Sequence, residues 1–189
     1  MNKLLTMISA VALLTAIAGS AYADQHEKTV FVTSMSFNAN LGGLTGADDK
    51  CQAEADGPAS IVPSGTYLAW LSDGTDSPDT RFTKSSHPYL LPDGTKIAED
   101  YSDLTDGLIL HPINIDPTGK ILGGIQKFWT GTSADGTTAP KSVTCTGWKD
   151  PLPYHYGMHG QTDLTTSSWS TIHANDSCRT SSRLLCFQQ

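Results

Sequence analysis

The chain has little glutamate. Beyond residue 23 only Glu27, Glu54 and Glu99 occur, which leaves scant material for a Glu-based acid/base pair. No Cys-x-x-Cys is present, so a thioredoxin-like redox site or a zinc knuckle has no support. No Gly-x-Ser-x-Gly elbow occurs, which leaves a standard α/β-hydrolase unsupported. The Gly42-Gly43 pair is followed by no Lys-Ser/Thr, so a tight turn is expected there rather than a phosphate loop. Basic residues are in the minority: 12 Lys and Arg against 19 Asp and Glu, a formal net charge of −7. That balance argues against nucleic acid and anionic membranes as partners. Past the first 23 residues no apolar run approaches the length of a membrane span.

What is present begins with a targeting pattern. Lys3 supplies a positive start, Leu4 to Ala18 is apolar, and Gly19-Ser20-Ala21-Tyr22-Ala23 has the Ala-x-Ala form of a cleavage site. Residues 1–23 are therefore expected to be a signal peptide and 24–189 a single domain, secreted or periplasmic. Removing a leader whose one charged residue is Lys3 makes the remainder still more acidic. Export permits disulfides. The four cysteines, Cys51, Cys145, Cys178 and Cys186, allow three pairings, and the sequence by itself does not choose among them.

The pattern of elements is that of an α+β domain. Thr29 to Ser34 is β-branched and aromatic, a strand. Asn40 to Gly46 is turn-rich. Ala47 to Ala55 is expected to be a helix, with Asp48 and Asp49 in its first turn and with Leu44, Ala47, Cys51 and Ala55 close to one face. Gly57-Pro58 ends it. Tyr67 to Ser72 is apolar on both faces and is expected mid-sheet or between layers. Four Asp-Gly pairs, at 73, 93, 106 and 135, mark short elements joined by turns. Tyr89–Leu91 and Thr95–Ala98 are expected to form short strands. Asp100 to Leu104 is expected to be a short helix capped by Asp100 or Ser102. Pro112 makes Ile109 to Ile115 irregular. Lys127 to Thr132 is a further strand, Trp169 and Ile172 suggest another, and Leu184 to Phe187 closes the chain as a strand.

Two constellations have a metal-like look. Asp73, Asp76 and Asp79 are regularly spaced, but not as in an EF-hand loop, and solvated turn acids are the expectation. His155 and His159 are four apart, which on a helix would place both imidazoles on one face. Gly157 between them and Pro153 just before them argue against a helix, and loop histidines are expected. No cofactor is implied. Trp70, Trp129, Trp148 and Trp169 are expected in the core.

The order Val30-Phe31-Val32-Thr33, then Asn40-Leu41-Gly42-Gly43-Leu44-Thr45-Gly46-Ala47-Asp48-x-Lys50-Cys51, then Tyr67 to Ser72, Phe128 to Thr132, Cys145-x-x-Trp148 and Leu184 to Phe187 resembles a bacterial exported domain-of-unknown-function family, DUF1554. That family in turn looks like the endostatin-like branch of the C-type lectin-like fold. The resemblance implies two short helices, twisted mixed and antiparallel sheets, and two nested disulfides, Cys51 with Cys186 and Cys145 with Cys178. It also implies a non-catalytic binding role toward an extracellular protein or a carbohydrate. The calcium-lectin triplets are missing: Pro112-Ile113-Asn114 has no acid at its head, and Asn175-Asp176 follows Ala174 rather than Trp. The alternatives are an envelope-associated structural protein without a small ligand, or an enzyme such as the sulfatase-modifying oxidases hosted by the same fold. Ligand contacts are expected on the loops Pro112–Gly124 and Pro151–Gly160, from Trp148, Tyr154, His155, Tyr156 and His159.

Overall fold

A computed structural model describes residues 26–140, 143–172 and 175–189; the signal peptide expected over 1–23 lies outside them. The chain is an α+β domain with short helices, a mixed five-stranded sheet, a three-stranded sheet and two disulfides. The larger sheet uses β1 (Lys28–Val32), β2 (Tyr67–Ala69), β3 (Tyr89–Leu90), β4 (Lys96–Ala98) and β8 (Leu185–Gln188), in the order β2-β8-β1-β3-β4. The first strand and the last are neighbours, antiparallel, with Phe31 opposite Cys186. β1 runs parallel to β3, and the other pairings in this sheet are antiparallel. The smaller sheet is β5 (Lys127–Trp129), β6 (Tyr156–Gln161) and β7 (Asn175–Ser177), antiparallel throughout.

Strand alternation places a core on each face of the central strands. From β1 and β8, Val30, Val32, Leu185 and Phe187 join Trp70, Tyr89 and Trp169 in one cluster. Phe31 and Cys186 point the other way and join Cys51, Tyr67, Leu71, Trp129 and Trp148. Val30–Val32 of β1 therefore reads as a continuous apolar run because neither face meets water, and in β2 only Leu68 is partly exposed. All four tryptophans are at most 1% exposed.

Helix α1 (Gly43–Ala55) covers the second core with Ala47, Cys51 and Ala55. It starts four residues earlier than its sequence pattern implies, because Gly42 and Gly43, at φ +89° and +78°, turn the chain into it through left-handed backbone open to glycine. Asp48 and Asp49 thus sit beyond the first turn, not within it. Asp48 instead bridges elements: one oxygen accepts from Ala69 N (2.9 Å) and the other pairs with Arg81. A third helical turn, α2 (Pro78–Arg81), joins the two expected ones. The Asp100 cap on α3 (Tyr101–Leu104) is present, its carboxylate accepting from Asp103 N at 2.9 Å. The strand suggested by Trp169 and Ile172 is a short 3-10 turn at Ser167–Trp169; the strand before Cys178 is β7. The disulfides are Cys51–Cys186 and Cys145–Cys178, the second nested in sequence inside the first.

Candidate functional site

The segment after Val143 is unusual backbone. Cys145, Thr146, Gly147 and Trp148 all have positive φ, between +48° and +67°, forming a single left-handed helical turn. For residues with a Cβ this conformation costs about 1–2 kcal/mol each. Three sets of contacts hold it in place. Cys145 is bonded to Cys178. Thr144 Oγ1 accepts from Gly147 N at 3.2 Å. Trp148 Nε1 donates to Ser72 O at 2.8 Å from within the core.

Beside this turn the chain passes through Asp150-Pro151-Leu152-Pro153 into β6. Asp150 organises the passage. Its Oδ1 accepts from Leu152 N at 2.8 Å, its Oδ2 is engaged by His155 Nδ1, and Thr146 Oγ1 donates to Oδ2 at 3.4 Å. Desolvation works against the Asp150 carboxylate, but the bonds from Leu152 and His155 outweigh it and hold the carboxyl below its ordinary range. His155 O accepts from Cys178 N at 2.9 Å, and Ser177 Oγ donates to Pro153 O at 2.9 Å. The Tyr154 ring meets the His155 ring edge to face, centroids 4.9 Å apart.

The result is a shallow groove of about 310 Å³ lined by Val143 to Thr146 on one side and Tyr154, His155 and Tyr156 on the other. Tyr154 is 65% exposed and Tyr156 52%. Gly157 allows the close packing beneath: a Cβ there would stand 2.8 Å from Cys145 Sγ and 3.0 Å from the rings of Trp129 and Trp148.

Of the five expected contact residues, Tyr154, His155 and Tyr156 come together at this groove. Trp148 and His159 do not present a surface: they are 0% and 2% exposed, so their assignment as ligand contacts is corrected to core positions. For His159 the reason is that Tyr156–Gln161 is a strand, not the loop expected, and pairs it with Trp129 on β5; Trp148 is drawn inward by its contact with the Trp129 ring and its bond to Ser72 O. No residue of Pro112–Gly124 lines the groove; Ile113 and Ile115 of that loop are buried. Asp73 is an ordinary turn acid, accepting from Thr75 N and Asp76 N, each at 2.9 Å, while Asp79 pairs with Lys84. Sequence reasoning passed over Asp150 and Thr146. An Asp placed just before Pro is a turn initiator, and that signal points to Asp150.

His159 carries a pH dependence. Neither ring nitrogen has a hydrogen-bond partner among the described residues, although Asp176 Oδ2 lies 3.2 Å from Nδ1. Burial lowers its pKa below the ordinary 6.5; the pull of Asp176 opposes this, and Lys127, 2.9 Å from Asp176, reinforces it. Below pH 6.5 the unfolded state therefore binds a proton that the folded state resists. The stability His159 contributes is present above pH 6.5 and falls away as pH drops below it. The melting temperature of the wild type should fall more between pH 8 and pH 5 than that of His159→Gln. Parallel curves for the two proteins would overturn this assignment.

The class defined by fold and groove is a disulfide-stapled α+β domain with an aromatic-rimmed surface groove. A family model described as a protein of unknown function (DUF1554) matches residues 34–167, and the chain belongs to that family. No curated protein matches the sequence. Among the described residues no helix is long and apolar enough to cross a membrane.

Proposed function

We propose that this chain is a non-catalytic extracytoplasmic binding domain of C-type lectin-like, endostatin-like architecture, which takes a protein or glycan ligand at the Tyr154–Tyr156 groove. The observation that carries this reading is the pair of exposed tyrosines on a floor braced by a disulfide and a left-handed turn. Tyrosine offers a large apolar face and a polar tip at low entropic cost, and such rings concentrate where a partner is bound. His155, held by Asp150, adds a polar contact at the rim.

Several features support the architecture and setting. The bridges Cys51–Cys186 and Cys145–Cys178 are the nested pair that the family resemblance implies, and β1 beside β8 brings the ends of the domain together. Disulfides persist in oxidising compartments, which accords with the leader-like residues 1–23. All four cysteines are in disulfides, which leaves no thiol for the cysteine chemistry of oxidases on that fold.

The test is a glycan array and a pull-down from envelope and surface proteins, run with wild type and with the double variant Tyr154→Ala/Tyr156→Ala. The double variant should lose its hits by at least about tenfold, as expected for a central aromatic pair, with an unchanged melting temperature because both rings are exposed. Hits retained by the double variant would place the ligand elsewhere. Blank screens with wild type would favour a structural envelope role.

A further inference from the structure

Asp-Gly occurs at residues 73, 93, 106 and 135, and the four aspartates share one local geometry. Each carboxylate Oδ1 accepts from the backbone N–H two residues on, that of Thr75, Thr95, Leu108 or Thr137, at 2.9 Å in every case. Such a turn folds the carboxyl back along its own main chain, beside the nitrogen of the glycine that follows. The glycines differ. Gly94 N donates to Leu91 O at 2.9 Å, and Gly136 N donates to Ser133 O at 3.0 Å. Gly74 N and Gly107 N donate to no acceptor among the described residues. Gly74 is exposed, and apart from its chain neighbours nothing stands within 4 Å of where its Cβ would be. Asp106 is exposed as well, whereas Gly136 is buried.

An amide nitrogen so placed can attack the carboxyl beside it. The glycine nitrogen bonds to Cγ of the neutral acid, the Cγ–OH bond breaks, and the hydroxyl leaves with the amide proton as water. The product is a five-membered succinimide. Water then opens the ring. Cleavage of the Cγ–N bond restores aspartate. Cleavage between the nitrogen and the main-chain carbonyl carbon leaves isoaspartate, with the chain now routed through Cγ. One water leaves and one returns, so nothing is oxidised and no co-reactant is consumed. Glycine suits the step because a Cβ on the attacking residue would crowd the closing ring. The nitrogen must also shed its proton and turn toward Cγ. A main-chain hydrogen bond from that nitrogen resists both, since it has to break before the ring can close. The four pairs therefore divide two and two.

We infer that Asp73 and Asp106 are sites of spontaneous isoaspartate formation, and that the bonds of Gly94 N and Gly136 N protect Asp93 and Asp135. The inference does not depend on the tyrosine groove. At Asp73 the product inserts a methylene into the main chain directly after Ser72, whose carbonyl accepts from the Trp148 indole. The whole protein is held at pH 6 and 37 °C for several weeks. Its peptides are then mapped for isoaspartate by isoaspartyl methyltransferase labelling and electron-transfer fragmentation. Asp73 and Asp106 should convert at least about fivefold faster than Asp93 and Asp135, the scale of one hydrogen bond. In the reduced protein in urea the four rates should come together. The single variants Asp73→Asn, Asp93→Asn, Asp106→Asn and Asp135→Asn keep the turn. They close the same ring with loss of ammonia, so the mass of the intact chain reports the reaction, and the same ranking is expected. Equal rates at the four sites in the folded protein, or a ranking that survives unfolding, would overturn the inference.

Discussion

Replacing both Cys51 and Cys186 with alanine should lower stability by about 4–5 kcal/mol, on the chain-entropy scale for a closed loop of this size. The bridge spans 135 residues, and the unfolded chain without it gains most of that loop's freedom. The native state loses less, because Cys51 and Cys186 are both fully buried and alanine retains part of their packing. The effect therefore acts chiefly on the unfolded state. In urea the midpoint should fall and the slope should rise, since an unstapled unfolded chain exposes more surface. At about 2–4 °C per kcal/mol for a chain of this length, the melting temperature should drop by some ten degrees or more. An unchanged melting temperature would mean that the staple is not what holds the last strand to the first helix.

Trp70→Ala should cost about 3–5 kcal/mol by a different route, the loss of a large core ring and the cavity it leaves. Trp70 is fully buried, with ring centroids of Trp169, Phe187 and Phe82 at 5.0, 5.2 and 5.8 Å. Its indole donates to Ser170 Oγ at 2.7 Å, and Ser170 in turn donates to Thr132 O. One side chain thus ties β8 to the aromatic cluster and to the loop at Ser170. Trp70→Phe should recover about half the loss, since it keeps much of the apolar area but not the hydrogen bond. Here the urea midpoint should move with little change in slope, because the unfolded state is barely affected. A loss under about 1 kcal/mol would show that the neighbouring rings close over the gap.

The helix face of Ala47, Cys51 and Ala55, the strand at Tyr67–Ala69, buried but for the partly exposed Leu68, and the Asp100 cap were all legible in local pattern, and each is present. Where the local reading failed, the cause is non-local. Tyr156–Gln161 contains two glycines, which weaken a strand taken alone. They are there because Phe128, Trp129 and Trp148 press against them: a Cβ at Gly160 would stand 2.3 Å from the Phe128 ring and 2.5 Å from Ser170 O. No window of sequence shows that pressure. The same holds for His159, whose burial follows from pairing with Trp129 across two strands. The left-handed turn at Cys145–Trp148 is equally silent in sequence. Three of its four residues are not glycine, and it persists because a disulfide, a Thr144 cap and the Trp148 indole secure it.

The sequence by itself determined the composition of this protein's interior and the alternation of short elements with turns. It determined too which cysteine faces inward from the first helix. Those properties depend on residues close along the chain. The tertiary structure alone decided which residues form the tyrosine groove. It is assembled from the Val143–Thr146 turn and the start of β6, which meet through the Thr144–Gly157 bridge and are braced by the Cys145–Cys178 disulfide. A side chain's exposure is set by what packs over it, so Trp148 and His159 pass inward while Tyr154 and Tyr156, a few residues away, remain at the surface.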